Sequence, residues 1–158
     1  MSNLPLTMPL LVSALADMLH AQFPDVPIYA NPNQQGTEPP CWFVVFQPLN
    51  RLEREIGRHF YREIAVDLVY EEPYNLPDLL DRYYAAAERV EAALYRLHYT
   101  VDVGGREITV PLQIKEREWS VSNEALHYKF QIRARVLREE PPAVKMDALE
   151  TLQGGVKE

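Results

Sequence analysis

Asn123-Glu124-Ala125-Leu126-His127-Tyr128-Lys129-Phe130-Gln131-Ile132-Arg133-Ala134-Arg135-Val136-Leu137 contains the longest alternating run in the chain. Leu126, Tyr128, Phe130, Ile132, Ala134 and Val136 fall on one side, and His127, Lys129, Gln131, Arg133 and Arg135 on the other. That is the period-two spacing of a strand. A sheet built around it has one apolar face, which packs against helices, and one cationic face, offered to water or a partner.

A second alternating strand runs from Phe60 to Tyr70, with Ile64, Val66, Leu68 and Tyr70 on one face and Tyr61, Glu63, Ala65, Asp67 and Val69 on the other. Cys41-Trp42-Phe43-Val44-Val45-Phe46 is apolar on both faces, which predicts a central strand covered on two sides. Arg51 to Arg62, running into the second of these strands, is a basic stretch carrying Arg51, Arg54, Arg58, His59 and Arg62, interleaved with Glu53 and Glu55. That pattern reads as a solvated, salt-bridged turn or ribbon, with a contact surface as the alternative. Tyr99–Val103 and Glu107–Val110 flank Gly104-Gly105, a hairpin signal because paired glycines accept positive φ. Leu112–Lys115 continues the alternation, and Trp119–Asn123 begins another strand.

Two helices complete the set. Thr7 and Pro9 mark the start of the first, and Pro24 its end. Pro27–Ala30 then reads as a short strand, and Asn31–Pro40 as a loop. The second helix is expected from a cap at Asn75. Leu76, Leu79, Leu80, Tyr83, Ala87, Val90, Leu94 and Leu97 form its apolar stripe, and Asp78–Arg82 an ion pair. The expected fold is α+β: a mixed, mainly antiparallel sheet with two helices packed on one face, plus an extended C-terminal tail. Residues 1–139 form the single domain. Residues 140–158 form a tail, flexible or docking on a partner, with Met146, Leu149 and Leu152 at helical spacing.

The 158 residues suit one domain with a real core. The 13 prolines against 6 glycines sit mostly at joints between elements, where they preset φ and stiffen the connections. A formal net charge of −7 argues against a non-specific grip on nucleic acid or acidic lipid. Aromatics for base stacking are not interleaved with the basic strips. Met1–Leu19 carries no Lys or Arg, so it is not expected to be a signal peptide. No apolar run reaches membrane-spanning length. The reading is of a soluble protein made in a reducing cytoplasm.

Catalytic signatures fail. There is no GxGxxG, Walker loop, HExxH or GxSxG pattern. His20, His59, His98 and His127 lie at no metal-like spacing, and Cys41 is the single cysteine. His98 is expected to bond the last carbonyls of the second helix, and His127 to be exposed. The acidic pairs Glu71-Glu72, Glu116/Glu118 and Glu139-Glu140 have nothing beside them to raise a carboxylate pKa. No catalytic residue, cofactor or metal is expected. A cationic strip on an acidic protein more often meets an acidic patch on another protein, or on a copy of itself.

Four stretches carry a resemblance: Phe23-Pro24-Asp25-Val26-Pro27-Ile28-Tyr29, Pro39-Pro40-Cys41-Trp42-Phe43-Val44, Arg62–Tyr70, and Asn123–Arg133 followed by Val144–Glu150. With their order and spacing, the chain resembles the tail terminator family of phages and of phage-derived contractile tails. That family's usual Asp-Gly before the last strand is Asn123-Glu124-Ala125 here, and its Gln-Gly-Phe is Gln34-Gln35-Gly36-Thr37. The resemblance implies a small α+β subunit that joins a homo-hexameric ring. The ring caps the head-proximal end of the tail tube, ends tube and sheath polymerisation, and offers a joining surface to the head connector. The implied partners are copies of itself, the tube protein, the sheath protein and the head–tail connector, with no membrane and no sequence-specific nucleic acid. Its place is the virion or tail-like particle, and the host cytoplasm during assembly.

A heterologous ring contact uses two different patches on each subunit. The expected basic patch is Arg51, Arg54, Arg58, Lys129, Arg133 and Arg135. The expected acidic patch is Asp78, Asp81, Glu88 and Glu91. Met146, Leu149 and Leu152 are expected to dock on an adjacent tail component. The alternatives are a head–tail connector subunit of the same assembly and a small ligand-binding α+β domain.

Overall fold

Thr7 opens the first helix, α1 (Met8–Gln22), by accepting the Leu10 N–H on its side-chain oxygen at 3.3 Å, with proline in the first turn. The helix closes where the Phe23 N–H reaches the Leu19 carbonyl at 2.7 Å. In the computed structural model, which describes residues 6–30, 37–54 and 59–137, the elements then follow in order. They are β1 (Ile28–Tyr29), β2 (Cys41–Arg54), β3 (His59–Glu71), α2 (Leu79–Leu94), β4 (His98–Val103), β5 (Arg106–Pro111), β6 (Gln113–Ser122) and β7 (Ala125–Leu137).

The main sheet has the order β1-β2-β3-β7-β6. β1 is parallel to β2, and every other pairing is antiparallel. The long alternating strands sit at its centre, since β3 pairs with β7 from His59↔Leu137 to Tyr70↔Leu126. Both helices cover the apolar face. Leu11, Leu15 and Leu19 of α1, and Tyr83, Ala87, Val90 and Leu94 of α2, share one core with Trp42, Val44, Ile64, Val66, Leu68, Leu126, Tyr128, Phe130 and Ile132. Each fully buried aliphatic side chain there contributes about 1.5–3 kcal/mol relative to exposure. Trp42 stacks on Tyr70 at 4.6 Å between ring centroids, and Phe23 lies tilted against both rings.

Several local expectations change. The second helix begins at Leu79, not beside Asn75, and Pro73–Asp78 forms turns instead. Asp78 occupies the cap position without capping, because both its carboxylate oxygens accept from Arg82 Nε at 3.1 Å. Leu80 is exposed and stands outside the apolar stripe. The Arg51–Arg62 region is largely strand, with β2 running to Arg54 and β3 starting at His59. The hairpin stands apart as a two-stranded sheet of β4 and β5, turning at Gly104 and Gly105 with φ of 59° and 81°. Residues 113–122 make one strand, not two, with a register shift between Lys115 and Glu118. Cys41, Trp42, Phe43 and Val44 are all buried, but Val45 and Phe46 are half-buried and β2 is not the central strand expected, since β1 flanks it only at Trp42 and Phe43.

Candidate functional site

The second face of the sheet is built by the odd-numbered residues of β3 and β7. Register places Glu63 opposite Arg133, Asp67 opposite Lys129 and Val69 opposite His127. Arg133 is held within its own chain. Its guanidinium lies 4.0 Å above the Tyr61 ring, and Nη1 is 3.5 Å from Glu63 Oε1. Lys115 Nζ reaches the same carboxylate oxygen at 2.9 Å from β6. Glu63 thus ties β3, β7 and β6 together.

Lys129 differs. It is exposed and makes no ion pair with another described residue. Its register partner Asp67 is 7% exposed and turns to His127, with Oδ2 2.9 Å from Nδ1. Asp67 Oδ1 has no hydrogen-bond partner. His127 is therefore a partly buried member of a cross-strand pair, not the surface residue expected. His98 does contact a carbonyl, with Nδ1 2.8 Å from the Arg96 oxygen just beyond α2.

Of the other expected basic residues, Arg51 and Arg54 fall in β2 at register positions opposite Glu63 and Phe60. Arg135 falls in β7 opposite Tyr61. Arg58 lies outside the described residues, as do Met146, Leu149, Leu152 and the rest of the 140–158 tail. The acidic set follows α2: Asp78 at its cap position, and Asp81, Glu88 and Glu91 within it, are all exposed. The helices cover one face of the sheet. By register Lys129, Arg133, Arg135 and Arg51 belong to the other face, whereas Arg54, opposite Phe60, belongs to the helix-covered face, so the expected basic set is split between the two layers.

Sequence reading missed an aromatic flank where α2 meets β6. Tyr84 and Trp119 contact at 5.6 Å between centroids while 44% and 39% exposed. Further along, the Arg117 guanidinium lies 4.5 Å over the Tyr95 ring and donates to its hydroxyl at 3.1 Å. The available signal was Tyr84, an aromatic set between Asp81 and Glu88 on the wet side of the helix.

The buried polar groups have structural partners. Tyr70 donates to the Glu72 carboxylate, and Arg82 Nη1 lies 3.6 Å from that group. Burial, then this hydrogen bond, pushes the Tyr70 hydroxyl well above its ordinary pKa. Burial, with a smaller contribution from Glu71, pushes the Cys41 thiol up to about 11. A thiol so shifted is not an activated nucleophile near neutral pH. Among the described residues, no three His, Cys, Asp or Glu converge as a metal site. No helix there is long and apolar enough to cross a membrane.

A family model described as phage tail terminator protein matches residues 11–144. No curated protein matches the chain. One solved structure is similar over 87% of this chain and 99% of its own, at 13% identity and a TM-score of 0.35, a likeness too slight to bear on the argument.

Proposed function

We propose that this chain, which belongs to the phage tail terminator family, closes the head-proximal end of a tail tube as a ring of six copies. The observation that carries this reading is the family match, which takes in most of α1, all of α2 and every strand of the main sheet. Tube growth stops because the ring covers the surface on which the next tube subunit would add. In a contractile tail the same ring meets the last sheath layer, and in a complete virion it receives the head connector. The work is geometric, so the chain needs stable surfaces and no reactive group.

The charge layout supports a head-to-tail ring. Acidic residues on α2, beside β6, and the basic Arg51 and Arg54 of β2, at the other side of the sheet, are different patches on one subunit, as a heterologous contact requires. Such charges set orientation and encounter rate more than affinity. Arg133 already has Glu63 and Tyr61 as partners, and Lys129 stands on the interior strand β7, away from either edge of the sheet. Residues 141–158 are proposed to dock on a neighbouring tail component through Met146, Leu149 and Leu152. A chain ending at Glu140 should then lose tail binding while keeping its fold.

Electron microscopy of the purified chain mixed with growing tail tubes tests the main reading. Capped tubes of arrested length are expected. Tubes that elongate as if the chain were absent would refute it.

A further inference from the structure

Among the described residues, both edges of the main sheet carry unpaired backbone. β6 is the last strand on one side, and nothing among the described residues pairs with its outer edge. On the other side, β1 covers β2 only at Trp42 and Phe43, so the β2 edge from Val44 to Arg54 is likewise unpaired among the described residues. Register shifts interrupt both strands, between Phe46 and Asn50 in β2 and between Lys115 and Glu118 in β6. Regular edge remains at Asn50–Arg54 and at Glu118–Ser122. An uncovered edge of this kind is a template for another strand.

We propose that the β6 edge of one copy pairs with the β2 edge of the next, with the Tyr84–Trp119 shelf as the anchor of the contact. The inference rests on the ring reading and names the surface that closes the ring. Three observations carry it.

The first is direction. β2, β3, β7 and β6 reverse in turn, so β6 runs opposite to β2. Rotation about an axis along the strands preserves strand direction. The neighbour's β2 therefore meets β6 antiparallel, the slightly more stable ladder. The second is the aromatic shelf. Trp119 lies within the regular β6 stretch, and Tyr84 and the Arg117–Tyr95 pair flank it. Trp, Tyr and Arg are the residue types that dominate interface energies. The third is charge. Glu88 and Glu91 of α2 are exposed on the shelf side, and Glu118 of β6 is exposed on the opposite face, across from Lys129, while β2 brings Arg51 and Arg54.

Cysteine pairing tests this on the full-length chain. Ser120→Cys marks the β6 edge and Glu53→Cys the β2 edge, with a short bismaleimide as the linker and the buried Cys41 as a silent background. Mixing the two single variants should give covalent dimers, and the double variant a ladder of multimers. Cross-linking of Ser120→Cys to itself would mean β6–β6 pairing and would overturn the proposal. Rings seen by electron microscopy without a ladder would also overturn it, while leaving the ring reading intact. No rings and no tube capping would remove both. Independently, Trp119→Ala should weaken ring association roughly thirtyfold, the effect of losing one hot-spot aromatic, with an unchanged circular dichroism spectrum. Association at the unaltered strength would count against the shelf.

Discussion

The Tyr83 hydroxyl donates to the main-chain carbonyl of Glu124 at 2.8 Å, joining the N-terminal part of α2 to the turn between β6 and β7. The same oxygen accepts the Glu72 N–H at 3.1 Å. One buried phenol thereby fastens a helix, the end of the central strand and a distant hairpin turn. Tyr83→Phe keeps the ring and strands both main-chain groups. Losing a partner for a buried polar group costs about 1–3 kcal/mol, so urea unfolding should show a loss of that order at constant m-value. A loss near zero would mean that these groups are satisfied some other way.

Alkaline stability follows from the same burial. Tyr70, Tyr83, Tyr99 and Tyr128 all have hydroxyl pKa values raised by desolvation, Tyr128 to about 12. Unfolded tyrosine titrates near pH 10. A raised folded pKa means that the native state keeps protons which the unfolded state releases. Stability from these groups is then fully present below about pH 10 and falls as pH rises toward about 12. Unfolding free energy measured against pH, alongside tyrosine ionisation by absorbance, checks this. Ionisation of all nine tyrosines in the ordinary range without unfolding would refute it.

What the sequence discloses and what it hides divide along a physical line. Period-two runs such as Leu126–Val136 and the glycine pair at 104–105 are local signals, and each produced its element. The start of α2 was not legible, because Asp78 looks equally able to cap the helix or to bind Arg82, and the ion pair wins. β6 read as two pieces because residues around Glu116, at φ 54°, break the alternation while the ladder resumes beyond them. Arg133 and His127 looked available for partners because their own partners, Glu63 and Asp67, are remote in sequence. Cross-strand register decides such pairs, and composition does not reveal it. The Tyr84–Trp119 contact was hidden for the same reason.

Cys41 provides a check on the covered strand. The thiol is fully buried in β2, and burial pushes it up to about 11. Thiolate is the reactive form, so at neutral pH a thiol reagent should label the native chain far more slowly than the unfolded chain. Labelling should become complete in denaturant. Rapid labelling of the native protein would mean that the Cys41–Val44 stretch opens readily, and that β2 is less secure than its packing indicates.

The hairpin turn at Asn123 and Glu124 holds the last prediction. Ser122 ends β6 and Ala125 begins β7, so these two residues are the whole loop, with φ of 51° and 61°. Positive φ at both positions is the type I′ geometry whose twist matches the flanking strands. Asparagine tolerates it, but a glutamate Cβ is crowded there at a cost of about 1–2 kcal/mol. The Glu124 side chain is exposed, and Tyr83 uses only its carbonyl, which any residue supplies. Glu124→Gly therefore relieves strain without losing the bond. Part of the gain is offset by glycine's greater unfolded-state freedom, of about 0.5–1 kcal/mol. A net stabilisation of up to about 1 kcal/mol is expected in urea unfolding. Glu124→Ala separates backbone from side chain, since alanine keeps the Cβ and should give no such gain. Equal effects of the two substitutions would place the cause in the lost carboxylate, not in the left-handed backbone.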